Sequence, residues 1–480
     1  MPQPSVAGLE TPAARSFADR VAQYFRDFQV LKETRTEYWG IQLINLIDST
    51  IYFALLNIAS VFLSQNVGLS DEEAGYSVAL FTTATTIFLF FSGTVTDWLG
   101  IRVSIHAAMI GQGILRLLVA VVGLMPSFPH RGLAATVLLF LMAPFMAMVQ
   151  TVFQSANRRY TTETSRSAGF SLWYLAMNIG AAAGGFLIDI DRLWLKWSNA
   201  HIFTIGAVAA LACSAITFLL IRDERQLDLG APRTSPSGGE AAAAPGKAAK
   251  KNPVQIALEV VREPTLWRLV VLIALILGAR AVFAYLYLLM PKYWLRTIGA
   301  EARMGTLQAI NPILIVFGII LFIPLVGRFR LFSMLVYGAM ISAASLLFLA
   351  VPYRLLSADI AYAHYSMSVL CMIALSIGEV VWSPKLYEYT AAIAPEGQEG
   401  TYLGISLVPW FLAKTLVSVL SGHLLVRFCP EGIGPRIANG EVGYWNGPAA
   451  MWLLLSLVGL LGCFGALLLR GWLTRGLKER

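Results

Sequence analysis

Among the residues of this chain that could do chemistry, the ones that stand out are charged groups inside long apolar stretches: Asp48, Arg116, Arg280, Glu379 and Lys414. A charged side chain at the centre of a hydrocarbon slab costs about 2.5–3.5 kcal/mol on insertion scales, so such residues face a cavity or pair with one another. There they can hold a solute of opposite charge or carry a proton. Two roles are open to Glu379, a cavity-facing anion or an acid reaching solvent at the end of its stretch. Asn178 and Asn311, also within apolar stretches, can contact a solute or simply bond one helix to the next. Tyr52, one helical turn beyond Asp48, is a further candidate contact, and Lys414 is a possible cavity charge. Other chemistries lack their residues. No CxxC or His/Cys cluster points to a metal or a disulfide framework, and the four cysteines and five histidines are scattered. No Asp-rich pair or nucleophile–base pair lies in an apolar stretch, so an intramembrane enzyme such as a prenyl or acyl transferase is not indicated and no cofactor is expected.

The elements that must position these residues are helices long enough to cross a bilayer. Hydrophobic residues make up 57% of the 480 and charged residues 13%, with mean hydropathy +0.66. Soluble domains carry about 25% charged residues. Crossing the hydrocarbon core takes about 20 apolar residues. Runs of that kind fall at 37–64, 74–97, 103–125, 133–157, 167–190 and 201–221, then at 266–290, 305–326, 331–351, 362–386, 401–426 and 448–470. The sequence therefore predicts an all-α membrane protein of twelve spans, six and six.

The divisions follow: an N-terminal segment 1–36, a six-helix half 37–221, a linker 222–264, a second half 265–470 and a tail 471–480. The linker is rich in Ala, Gly, Pro and Ser, the composition of a flexible connection, and ends in an amphipathic stretch at 254–262. A second amphipathic stretch, 17–31, with Val21, Tyr24, Phe25 and Phe28 on one side, is expected to lie at the interface. The net charge of +8 comes from Lys and Arg concentrated in the connections on the side of the termini. That placement reads as a topology signal with both termini cytoplasmic, and not as a nucleic-acid footprint. Cys213, Cys371 and Cys463 fall in spans, and Cys429 is expected in an external loop.

Several segments carry a family resemblance. Gly93, Asp97, Gly100 and Arg102 between the second and third spans resemble the G-x-x-x-D-x-x-G-x-R signature of the major facilitator superfamily. There it is a conformational latch; Gly93 would allow close helix contact, Gly100 the turn, and Asp97 a helix cap or a pair with Arg102. The fifth span, Phe170 to Ala181 with Asn178 and Gly180, looks like the F-Y-x-x-I-N-x-G signature of proton-coupled oligopeptide transporters. Gln308, Asn311 and Pro312 resemble that family's Q-x-x-N-P. Gly378, Glu379, Pro384, Ala394, Pro395, Gly400 and Gly404 are similar to its G-E…P…A-P…G…G run, and Val67 to Ala74 to its first external turn.

The resemblance implies a secondary transporter with a central cavity, working on a small solute and protons within the cell membrane, and monomeric. In that family the solute's ammonium meets a glutamate and two asparagines, which here are Glu379, Asn178 and Asn311. The family's E-x-x-E-R on the first helix aligns with Asn45, Asp48 and Ser49, so one acid survives and the arginine is gone. Its fourth-helix lysine aligns with Gln154, and the seventh helix carries Arg280 in place of an acid. Asp48 thus becomes the candidate proton carrier, and similar depth predicts a gating pair between Asp48 and Arg280. Arg116, on a helix that is peripheral in the superfamily, is expected to snorkel outward or to pair structurally.

Overall fold

The computed structural model describes Arg26 and residues 28–162, 164–222, 263–326, 330–393 and 399–475. The described chain is helical throughout. Its long helices are α1 (Thr36–Phe62), α2 (Asp71–Leu99), α3 (Ile101–Leu124), α4 (Arg131–Tyr160), α5 (Arg166–Asp189) and α6 (Ala200–Leu220). They are followed by α7 (Pro264–Leu288), α8 (Met304–Val326), α9 (Leu331–Ala344), α10 (Ile360–Ile393), α11 (Glu399–Phe428) and α12 (Pro448–Leu468). Among the described residues, ten helical segments are long and apolar enough to cross a membrane. The other two predicted spans coincide with α8 and α11, in which the side chains of residues 319–326 and 399–411 are outside the description.

Local chemistry sets the ends. Ser70 caps α2 in a reciprocal box with Glu73, whose backbone N–H donates to the Ser70 hydroxyl while Glu73 accepts from the Ser70 N–H. Gly100, at φ +81°, supplies the positive φ that divides α2 from α3. Pro264 and Pro448 open α7 and α12, where a missing N–H costs nothing. Asp359 caps α10 by accepting from the N–H groups of Ala361 and Tyr362.

Packing follows a fixed pattern. Helix α1 packs on α5 and α6, α3 on α4 and α6, and α2 on α4. In the second part α7 packs on α11 and α12, α9 on α10 and α12, and α8 on α10. The largest contacts that join the parts are α5 with α8 and α2 with α11, with a smaller one of α1 on α7. Phe90, Trp98, Phe218, Leu219, Leu461 and Leu468 remain exposed on the outside. Apolar surface on that scale suits lipid, not water.

Some expectations are revised. The stretch 17–31 falls largely outside the described residues, and its described end, Phe28–Glu33, is a 3₁₀ turn. Nearly all of the linker 222–264, including 254–262, and the end of the tail also lie outside them. Cys429 directly follows α11 and is buried, as are the other three cysteines, all free thiols.

Candidate functional site

Helices α7, α8 and α10 bring three of the sequence candidates together. On α10, Ser376, Glu379 and Trp382 recur at three-residue spacing and so share a face. Asn311 of α8 donates from Nδ2 to the Glu379 carboxylate at 2.9 Å and to the Ser376 hydroxyl at 3.1 Å. Arg280 of α7 lies with its guanidinium over the Trp382 ring, 5.1 Å from the centroid, and within electrostatic reach of Glu379. Two turns further along α7, Tyr287 lies within electrostatic reach of Glu379, and also of Tyr52 on α1 and Tyr174 on α5. Phe53 closes the ring of aromatics, 5.1 Å from Tyr52 and 6.1 Å from Tyr287 between centroids. The arrangement sets the Glu379 carboxyl group, with Arg280 close by, near aromatic rings; a cation there can gain from the acid and from the ring faces.

The other candidates sit elsewhere. Asn178 is buried, and its Nδ2 donates to the Tyr174 carbonyl of its own helix at 2.9 Å, so here it steadies α5 and does not bond Asn311 or Glu379. Lys414 is half-buried on α11, beside Thr415, whose hydroxyl meets that of Thr83 on α2 at 2.8 Å. The sequence reading missed Tyr174, Tyr287, Ser376 and Trp382. The seven-residue step from Arg280 to Tyr287 was the available signal for one of them.

The predicted pair of Asp48 with Arg280 does not form. Asp48 instead accepts from Arg116 of α3 at 3.3 Å, and both side chains are almost fully buried. Arg116 also donates to the Gly206 carbonyl of α6 at 3.2 Å and to Gln112. It neither snorkels nor lies at the edge, but pairs inside the first six helices. The partner that the packing gives Asp48 is thus Arg116 of α3, not Arg280 of α7. A Cβ on Gly206 would come within 2.8 Å of Ile51 and 3.2 Å of Arg116, so the guanidinium passes where α6 has no side chain.

The latch residues differ in detail from expectation. Asp97 pairs with Arg159 at the end of α4 at 2.7 Å, not with Arg102. Arg102 donates to the Phe218 carbonyl at 3.2 Å and lies over that ring. Gly100 makes the turn as expected, while a Cβ at Gly93 would meet nothing within 4 Å. Three ion pairs on the face of the termini stay within one part of the chain: Asp97–Arg159 between α2 and α4, Glu37 of α1 with Arg222 just after α6, and Lys385–Glu388 within α10.

The opposite face is closed by contacts between the two parts. Asp71, the first residue of α2, accepts from Lys292 at 2.7 Å and from Arg296 at 2.8 Å, both on the short helix Met290–Thr297 after α7. Asp189 at the end of α5 caps α8, accepting from the N–H groups of Gly305 at 2.8 Å and Thr306 at 2.7 Å and from the Thr306 hydroxyl at 2.7 Å. Below that cap the backbones of α5 and α8 touch, because a Cβ on Gly305 would overlap the Gly185 carbonyl oxygen. Gly305→Ala is therefore expected to part α5 from α8 and to weaken this closure by roughly five- to a hundredfold, as overpacking of about 1–3 kcal/mol implies. Distances between labels placed across this face would measure it; an unchanged distance distribution would contradict the overlap.

A family model described as Major Facilitator Superfamily matches residues 39–418. A puromycin resistance protein of Streptomyces alboniger is 27% identical over 203 residues, a stretch covering 39% of this chain and 36% of that protein. Solved structures with the same fold include a peptide transporter POT in complex with sulfate, at TM-score 0.64 and 15% identity, covering 94% of this chain and 99% of that one. A D-xylose-proton symporter matches at TM-score 0.64 and 14% identity, covering 89% and 96%. A nucleoside transporter matches at TM-score 0.66 and 12% identity, covering 90% and 99%. At these identities the structural likeness concerns the fold.

Proposed function

From the premise that this chain belongs to the Major Facilitator Superfamily and is a multi-pass membrane transporter, not an enzyme, we propose that it moves a small, amine-bearing organic solute by alternating access, linked to protons. The observation that carries the solute class is the Glu379 carboxylate, held by Asn311 and within reach of Tyr287, around which Tyr52, Phe53 and Tyr174 gather. Arg280, close by, offers a partner for an acidic or polar group at the solute's other end. Asn178 joins this surface when the solute draws its amide from the Tyr174 carbonyl.

The architecture proposed is twelve spans in two six-helix halves. Its support is a recurrence: the contacts α1–α5, α1–α6, α2–α4, α3–α4 and α3–α6 reappear six helices later as α7–α11, α7–α12, α8–α10, α9–α10 and α9–α12. The joining contacts, α2–α11 and α5–α8, exchange under the same shift. Rocking of such halves about a central site gives alternating access. The excess of Lys and Arg on the side of the termini favours a cytoplasmic location for them, in the cell membrane. The face closed by Asp71, Lys292 and Arg296 is then the external one, and the latch Gly93, Asp97, Gly100 and Arg102 acts at the other. Asp48 with Arg116, and Lys414, stand as candidate coupling groups.

Glu379→Gln is the direct test. It keeps the shape and removes the charge, so an amine should bind roughly ten- to a hundredfold more weakly, the worth of a charge-assisted bond of about 1.5–3 kcal/mol. Thermal shifts over amines, peptides and amino acids would identify a ligand and then measure the change. Equal affinity in the two proteins would remove the ammonium site. A second reading, a drug-type exporter or proton-independent facilitator, is favoured by the likeness to a puromycin resistance protein and by these aromatic rings. Counterflow that persists after collapse of a pH gradient, with no accumulation driven by one, would select the facilitator.

A further inference from the structure

The segment that leaves α5 carries three charged residues within four positions, and they behave differently. Asp189 reaches across to cap α8, as described above. Arg192 also reaches the second part of the chain, donating to the carbonyls of Ala300 at 3.2 Å and Ala302 at 3.4 Å. Between them Asp191 is fully buried, and neither of its carboxylate oxygens has a hydrogen-bond partner. The backbone here makes a π turn, Ile190–Trp194, in which the extra residue per turn changes which side chain faces inward. Its register continues in the Trp197 N–H, which donates to the Asp191 carbonyl at 2.9 Å.

We propose that Asp191 is a proton-binding site that locks the face closed by Asp71 and Asp189, the proton entering when that face shuts and leaving when it opens. An ionised carboxylate sealed from water with no donor is unfavourable, whereas its neutral acid fits the same space. The flanking residues Asp189 and Arg192 make the clasp between α5 and the start of α8, so a charge appearing at Asp191 acts directly on the closure. The charged groups around it among the described residues are few. His201 faces it from the start of α6, with Nδ1 3.0 Å from the Ser198 carbonyl, and Arg192 lies on its own segment. Glu301, on the connection before α8, faces Arg192, and Arg303 and Asp189 flank Tyr365 of α10. None of these donates a hydrogen bond to the carboxylate.

The sign follows from the state that is buried. The closed form binds the proton more tightly than the open form, so closure is favoured at low pH and is lost as pH rises. One proton released on opening raises the open-to-closed ratio by up to tenfold per pH unit between the two affinities. The inference rests on the alternating-access reading, deepening its proton linkage, but its readout needs no solute.

The test places spin labels at Ser127→Cys and Ala438→Cys, exposed positions on this face in the two parts of the chain, in the full protein in lipid nanodiscs. The four native thiols are buried, which favours labelling at the introduced sites. Between pH 5 and pH 8 the distance distribution of the otherwise native protein should gain a longer component. In Asp191→Asn, and equally in Asp191→Ser, that component should stay absent at every pH, while His201→Gln should keep it. No pH response in the native background, or an undiminished one in both Asp191 variants, would overturn the proposal. A response abolished only by His423→Gln would also overturn it, assigning the titration to the bridge of His423 with Glu72 and Tyr76 between α2 and α11. Failure to find any amine ligand would sink the solute assignment and leave this result standing.

Discussion

Asp71→Ala is expected to open the face that Asp71 closes, shifting the balance between closed and open forms by two to three orders of magnitude. Asp71 is the shared anion of two cations, and the three side chains are 10%, 5% and 9% exposed for Asp71, Lys292 and Arg296. Removing one member of a buried ion pair costs about 3–5 kcal/mol, because the partner charge stays in place without compensation. Here two cations would be left facing each other, with the exposed Glu431 carboxylate, 3.7 Å from Arg296, as a weak counterion. Burial already pushes the Lys292 ammonium below its usual value, with the Asp71 carboxylate opposing. Without Asp71 it can shed its proton, which holds the cost toward the lower end of that range. The cost falls on the closed form alone, since opening hydrates both cations. Cys429 is a native reporter, because its carbonyl accepts from Arg296 at 2.8 Å and its thiol is buried. Its rate of alkylation, followed by mass spectrometry, should rise at least a hundredfold in the variant. A rate equal to that of the parent protein would show that the cluster does not hold the face shut.

Arg116→Met should destabilise the folded protein by about 3–5 kcal/mol, the cost of leaving the buried Asp48 carboxylate unpaired. The double variant Asp48→Asn with Arg116→Met should recover most of that loss, since replacing both members of a buried pair is often close to neutral. Denaturation in detergent, compared across the single and double variants, reads the coupling as a thermodynamic cycle. A single variant no less stable than the double one would show that the pair contributes nothing. Transport by the double variant bears on function. Retained accumulation against a pH gradient would make Asp48 a structural residue of the first six helices. Loss of accumulation with exchange preserved would keep it as a proton carrier.

How much of this was legible in the sequence differs by scale. The helices were, because a span is a local property: about twenty apolar residues decide it, and the capping box at Ser70 and the turn at Gly100 mark its ends without reference to the rest of the chain. The grouping of Glu379 with Asn311 came from a matching motif, and the 2.9 Å contact places them side by side. Partner choice was not legible. Depth alone matches Asp48 to Arg280, and only the packed structure gives it Arg116 instead. Lys292 and Arg296 sit four residues apart on a short helix and read as ordinary surface charges until α7 and α2 place them around Asp71. The same holds for Gly185 and Gly305, unremarked in a chain of 40 glycines until α5 and α8 cross there. Hydropathy is summed over a window and survives any rotation of the helix. A salt bridge or a backbone contact depends on a few ångströms between elements far apart in sequence, and that distance is set only when the helices pack.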